Sequence, residues 1–511
     1  MSAAPYSQSK KNEVELSEHQ FHVDELAHAI EDLEAQREAK KGSSPQKTPL
    51  DIAINYFKYI YSSGLTMAYI VLIMWGIWTN KAVLPAVPVA HFIIFIFCLV
   101  LVFYLEGLQV AILAVEHNDP EQKKHSHPRG YELIKKVRIG NNVDRFLVGR
   151  QFFTIFVMTL AAQVTTFPEL STLGVPEVVW FIFVRTGFPA ALVVTTVASL
   201  QPQLLAAKDP WQFLNMYGTN AVMALCYGLE WTGVCTHFAW LLIAICKATV
   251  FRTEVRSKAA EVPEDEKLVY YITEGLKYVV STCVVLTYFT LLMWGQWTGQ
   301  AVLPVPGVVA FILFVLAGLF LAHLEGLQVA MLVAEGQDPA PYAATHPRGF
   351  KLMQVALTEK NVRRFLIGRQ FLVIFVVFLI NQCTIFPDIS HLGVPGGVWF
   401  FFVSLGFPTA MNILCWCQLP AQILGNTDPY MFMDRYGPTL TLNICLFVEW
   451  TGLAHFSWVV SAISRATWFK IDQIGLQEVM QIKAEINAKN GGKTGTKTAT
   501  ENGASSVANS M

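Results

Sequence analysis

The chain has 511 residues, a formal net charge of −1, and 53% hydrophobic but only 15% charged residues. An ordinary soluble domain carries about 25% charged residues, so the composition argues against a large soluble protein, which would lack the charge to cover its outside. The near-zero net charge gives no basis for a nucleic-acid partner.

The first 52 residues form a polar tail with no apolar core of signal-peptide length, so no cleaved signal is expected. Within it, Ser17 and Gln20 have capping-box spacing, and Val23, Leu26, Ile30 and Leu33 recur every three to four residues. That pattern predicts a short cytosolic amphipathic helix, suited to a partner protein or to a second copy of the chain.

Apolar runs of membrane-spanning length follow, since a bilayer core takes about 20 apolar residues per helix. In residues 53–252 they begin near Tyr56, Pro88, Phe146, Pro176 and Phe213. Residues 253–271 read as a linker and 272–470 as a second membrane domain. The tail 471–511 carries a weaker stripe (Val479, Ile482, Ile486) before a polar, low-complexity end expected to be disordered.

The second membrane domain repeats the first at a constant offset of 219, which carries Glu106 to Glu325, Arg150 to Arg369, Gln203 to Gln422 and Glu230 to Glu449. The predicted fold is an all-α polytopic membrane protein with about ten transmembrane helices in two five-helix repeats. An odd number of spans per repeat predicts that the halves are inverted, the plan of many secondary transporters. The positive-inside rule points the other way. The loop after the second span is basic in both halves, with Arg129, Lys135 and Arg138 in the first and Arg348, Lys351 and Arg364 in the second.

Charged residues inside such spans cost about 2.5–3.5 kcal/mol each on insertion scales and mark function by default. "EGLQ" (Glu106–Gln109) and its copy (Glu325–Gln328) place a carboxylate and an amide three residues apart, on one helix face. "GRQ" (Gly149–Gln151 and Gly368–Gln370) opens the next span. The simplest pairing is Glu106 with Arg150 and Glu325 with Arg369. Such a pair serves gating or coupling, or else is a static anchor at the membrane surface. Glu230 and Glu449 are further gating or coupling candidates. Gly187–Pro189 and Gly406–Pro408 interrupt their spans at matching places, which frees backbone groups for an ion or solute, or simply kinks the helix.

The nine cysteines all lie in apolar segments and read as packing residues. No G-x-S-x-G, H-E-x-x-H or Walker loop occurs, so neither an enzyme nor an organic cofactor or bound metal centre is expected.

The paired EGLQ and GRQ motifs, two copies in register across a duplicated membrane protein, resemble the signature of the silicon transporters of diatoms and other silicifying algae. The resemblance covers the whole membrane region. It implies a Na⁺-coupled symporter of silicic acid working by alternating access, in the plasma membrane or an intracellular vesicle. Silicic acid is a small, neutral solute with four hydroxyls that both donate and accept. On this reading Gln109, Gln151, Gln328 and Gln370, with Glu106 and Glu325, contact the solute. Glu106, Arg150, Glu325 and Arg369 gate or couple. A borate carrier, a passive channel and a non-transporting sensor are the rival readings.

Overall fold

A computed structural model describes residues 48–115, 120–234, 236–251, 267–335, 337–358 and 361–469. The amphipathic segment 17–33 and the tail stripe 479–486 lie outside them. The chain divides into two compact units, Met1–Phe57 and Lys58–Met511. Every long element is helical and no strand occurs among the described residues. That follows from a bilayer that offers the backbone no hydrogen-bond partner.

Helix α1 (Pro49–Trp78) opens on a capping box. The Thr48 amide donates to the Asp51 carboxylate at 3.1 Å, and the Asp51 amide donates to Thr48 Oγ1 at 3.2 Å. Helix α2 (Pro88–Val115) carries EGLQ, amphipathic α3 (Pro128–Val137) follows, and α4 (Asn142–Thr165) carries GRQ. The fourth span, α5 (residues 177–208), is broken at Gly187 (φ 83°), a left-handed residue followed by Phe188–Pro189 at the start of a new helical piece. Helices α6 (Thr219–Trp231) and α7 (Thr236–Cys246) close the half with a 59° bend between them. The second half repeats the series as α8 (Lys267–Trp297), α9 (Gly307–Glu335), α10 (Pro347–Leu357), α11 (Asn361–Thr384), α12 (residues 396–427), α13 (Pro438–Thr451) and α14 (Phe456–Thr467). Among the described residues eight helices are long and apolar enough to cross a membrane, or up to ten if each bent pair is one span.

The halves meet along α4 and α11. Gly187 of α5 lies against Phe378 and Gln382 of α11, the Phe188 ring packs on Phe371 and Phe375, and Ser199 bonds Gln370. As α5 advances from 187 to 199, its contacts on α11 therefore retreat from 382 to 370. In the second half Gly406 lies against Thr159 and Gln163, the Phe407 ring packs on Phe152 and Phe156, and Gln418 bonds Gln151. Within its own half, α5 also runs against α4. Gly187 and Pro189 share a small cavity with Thr165 and Thr166, while Gln203 reaches the Glu106 that pairs with Arg150.

Helix α5 thus runs antiparallel to both α4 and α11, so α4 and α11 point the same way. Their pseudo-two-fold axis lies along the helices, and the duplication is parallel. The inversion expected from the span count is corrected on this geometry, because inverted equivalents would run antiparallel. The fifth span expected from Phe213 onward is a bent pair of helices, which brings the candidate spans to ten if each pair is one span. Each bent pair is either one broken span or a re-entrant loop.

The last helices are exchanged. Helix α7 packs on α8 and α12, and α14 packs on the C-terminal part of α5. Ser281 Oγ accepts the Phe238 amide at 3.1 Å, and Ser62 Oγ accepts the Phe456 amide at 2.9 Å.

Close approach of α4 to α6 depends on Gly149, where any Cβ would collide with the Cys226 carbonyl oxygen. Gly368 meets Cys445 in the same way. Small residues at such crossings let backbones touch. Gly149→Ala or Gly368→Ala is expected to destabilise by about 1–3 kcal/mol, the range for overpacking. A lower melting temperature of the detergent-solubilised protein is the check, and an unchanged one would show that the helices separate freely.

Candidate functional site

Both EGLQ–GRQ clusters are buried and join into one closed ring. In the first half Arg150 Nη1 donates to Glu106 Oε1 at 3.1 Å, and Arg150 Nη2 donates to Gln151 Oε1 at 2.7 Å. Gln151 Nε2 then crosses the interface to Gln418 Oε1 at 2.6 Å, and Gln418 Nε2 donates to Glu325 Oε1 at 3.2 Å. Glu325 pairs with Arg369 at 2.6 Å, and Arg369 Nη1 donates to Gln370 Oε1 at 3.0 Å. Gln370 Nε2 returns across the interface to Glu106 Oε2 at 3.3 Å and to Ser199 Oγ at 2.7 Å.

The ring follows from the fold. A carboxylate deep in α2 and an arginine two turns into α4 meet because those helices pack antiparallel at that depth. The arginine's fork then orients the adjacent glutamine across the axis. Both arginines and both glutamates are no more than 5% exposed. Their charges cancel, which is what makes such burial tolerable. Surface snorkelling of Arg150 is thereby ruled out, since its side chain points inward to Glu106.

Links within each half and between halves differ in kind. Within a half they include ion pairs. Between halves they are amide, hydroxyl and one long amide–carboxylate contact. A neutral hydrogen bond is worth about 0.5–1.5 kcal/mol net, so the ring is weakest where the halves meet. An inserted solute bearing hydroxyls can replace those links donor for acceptor.

The remaining candidates lie elsewhere. Gln109 and Gln328 are half-buried and make no hydrogen bond in the ring. The space above Gly107 and Gly326 is filled by the rings of Phe213 and Phe432. Glu230 pairs with Arg145 at 2.7 Å and Glu449 with Arg364 at 2.8 Å, in more exposed positions near the start of α4 and α11. Sequence reasoning missed Gln418 and Ser199 as ring members, and Gln203 and Gln422 as second donors to Glu106 and Glu325, each at 2.6 Å. Gln203 and Gln422 stand out in the sequence as a repeated polar pair, but no partner was assigned to them. Gln418 and Ser199 stand at equivalent positions with different side chains, so repetition conceals them.

At the far end of α4 and α11, two cavities related by the pseudo-two-fold sit beside the helix breaks. One, about 120 Å³, is lined by Gln163, Thr384, Ser404, Gly406 and Thr409. The other, about 30 Å³, is lined by Thr165, Thr166, Gly187 and Gln382.

A family model described as "Silicon transporter" matches residues 51–248 and 267–470. No curated protein and no solved structure matches the chain.

Proposed function

The chain belongs to the silicon transporter family, and from that premise we propose that it is a Na⁺-coupled symporter of silicic acid working by alternating access. The observation that carries the reading is the ring itself: a charge-balanced, buried belt whose weakest links lie between the halves. Silicic acid is neutral, so membrane potential alone cannot concentrate it, and a coupled ion supplies the driving force. In this reading the solute's hydroxyls insert between Gln151 and Gln418 and between Gln370 and Ser199. Arg150 and Arg369 hold those glutamines in orientation, and Glu106 and Glu325 accept from the solute while staying paired. Parting of the halves on one side of the ring, then the other, gives alternate access. The plasma membrane or a vesicle membrane is the proposed location.

Uptake into proteoliposomes under an imposed Na⁺ gradient tests the proposal. Accumulation of silicic acid driven by the gradient is the expected result. Equal flux without Na⁺ would identify a channel, and preferential movement of borate would change the substrate.

Ring membership gives a sharper test within the motif. Gln151→Leu removes a cross-interface link and a solute partner, and uptake is expected to fall at least about tenfold, the equivalent of ~1.4 kcal/mol. Gln109→Leu, outside the ring, is expected to stay within about twofold on the same reasoning. Uptake measured on equal amounts of folded protein decides it, and the reverse ranking would move the solute to the EGLQ face.

A further inference from the structure

Next to the larger cavity the two halves carry different polar side chains. Thr409 Oγ1 of α12 donates to Thr384 Oγ1 of α11 at 2.9 Å, and Thr384 in turn donates to the Ile380 carbonyl at 2.9 Å. One helical turn toward the ring on each strand of this antiparallel pair stand Asn412 and Asn381. Asn412 Nδ2 donates to the Pro408 carbonyl at 2.7 Å. Asn381 Nδ2 donates to the Val377 carbonyl at 2.8 Å and, at 3.4 Å, to Thr159 Oγ1. Both asparagines are at most 1% exposed, and the Oδ1 atom of each has no hydrogen-bond partner. The first half has Ala162, Val193 and Ala190 where the second has Asn381, Asn412 and Thr409.

This is a donor-poor, acceptor-rich cluster. Both threonine protons are already given away, and both amide NH₂ groups bond their own helices. What remains are the two amide carbonyl oxygens, the hydroxyl lone pairs and a single Asn412 N–H, and an unpaired buried acceptor costs about 1–3 kcal/mol. No carboxylate joins them, and among the described residues no three His, Cys, Asp or Glu side chains gather. Neutral oxygens alone balance one positive charge poorly enough to disfavour a divalent ion, yet they suit an alkali cation, which is hard and oxygen-seeking.

We propose that Asn381, Asn412, Thr384 and Thr409 form a binding site for a single alkali cation beside the break in α12. The inference deepens the sodium-coupled reading above by giving the ion a place, on one side of the pseudo-two-fold only. It makes the two halves unequal, with one ion site rather than two.

The test uses the full-length protein in detergent. Its melting temperature is compared in NaCl, KCl and N-methyl-D-glucamine chloride at equal ionic strength, alongside equilibrium binding of ²²Na⁺. Sodium is expected to raise the melting temperature over the organic cation. Asn381→Ala and Asn412→Val, each installing the first half's residue, are expected to abolish that rise and weaken ²²Na⁺ binding at least tenfold. Thr409→Ala, likewise copied from the first half, serves if either fails to fold. Gln151→Leu, in the ring, should keep the response. A wild-type protein indifferent to alkali cations, or variants that bind like the wild type, would overturn the site and leave a water-filled cluster. Failure of the broader reading looks different: ²²Na⁺ binding lost in the variants, while silicic acid uptake never depended on sodium.

Discussion

Arg369→Met is expected to abolish transport and to cost about 3–5 kcal/mol of stability, the usual result of removing one partner from a buried pair. Glu325 has only 2% exposure and would retain an uncompensated charge, with Gln418 and Gln422 left to solvate it. Arg369 also orients Gln370, so its loss frees the amide that reaches both Glu106 and Ser199. Combining Glu325→Gln with Arg369→Met removes both charges. Stability should recover most of the loss, because neutral replacement of a buried pair is often tolerated, while transport should stay absent. Thermal melting of the single and double variants, with uptake measured on the same preparations, separates the two effects. A double variant no more stable than the single would mean that the pair is not the source of the cost. Arg150→Met and Glu106→Gln should behave alike, since their pairing is equivalent.

The second large effect is one of sidedness. Glu132 and Lys351 are equivalent residues, 219 apart, on the exposed faces of α3 and α10. Parallel halves put both on the same face of the membrane. Single cysteines at these positions should react with a membrane-impermeant maleimide from one side only, and from the same side, with near-complete contrast between sealed vesicles of opposite orientation. Labelling from opposite sides would restore the inverted arrangement. Labelling of both from the cytosolic side is the outcome that the positive-inside rule expects for two basic loops.

That rule agrees with the parallel run of α4 and α11, whereas an odd span count favoured inversion. Hydropathy reports how apolar a segment is but not how deep it goes. The 59° bend between α6 and α7 leaves no mark in composition beyond the glycine of "EWTG". The repeat itself, the polytopic class and the pairing of Glu106 with Arg150 were all legible, because each rests on residue identity at fixed spacing. Gln109 shares a helix face with Glu106 but makes no hydrogen bond in the ring, and the Phe213 ring lies over the Gly107 between them. Asn381 and Asn412 were hidden for the opposite reason. A search for features present twice passes over those present once.

The exchanged last helices carry a consequence for how the protein is made. Helix α7 is completed before any of α8 exists, yet its packing surface belongs to the second half. The first half therefore leaves the ribosome unfinished, with Phe238 and its neighbours in lipid until α8 and α12 arrive. In return α14, made last, closes onto a span inserted long before. Neither half can reach its mature form without the other, which ties quality control of the whole chain to its final helix.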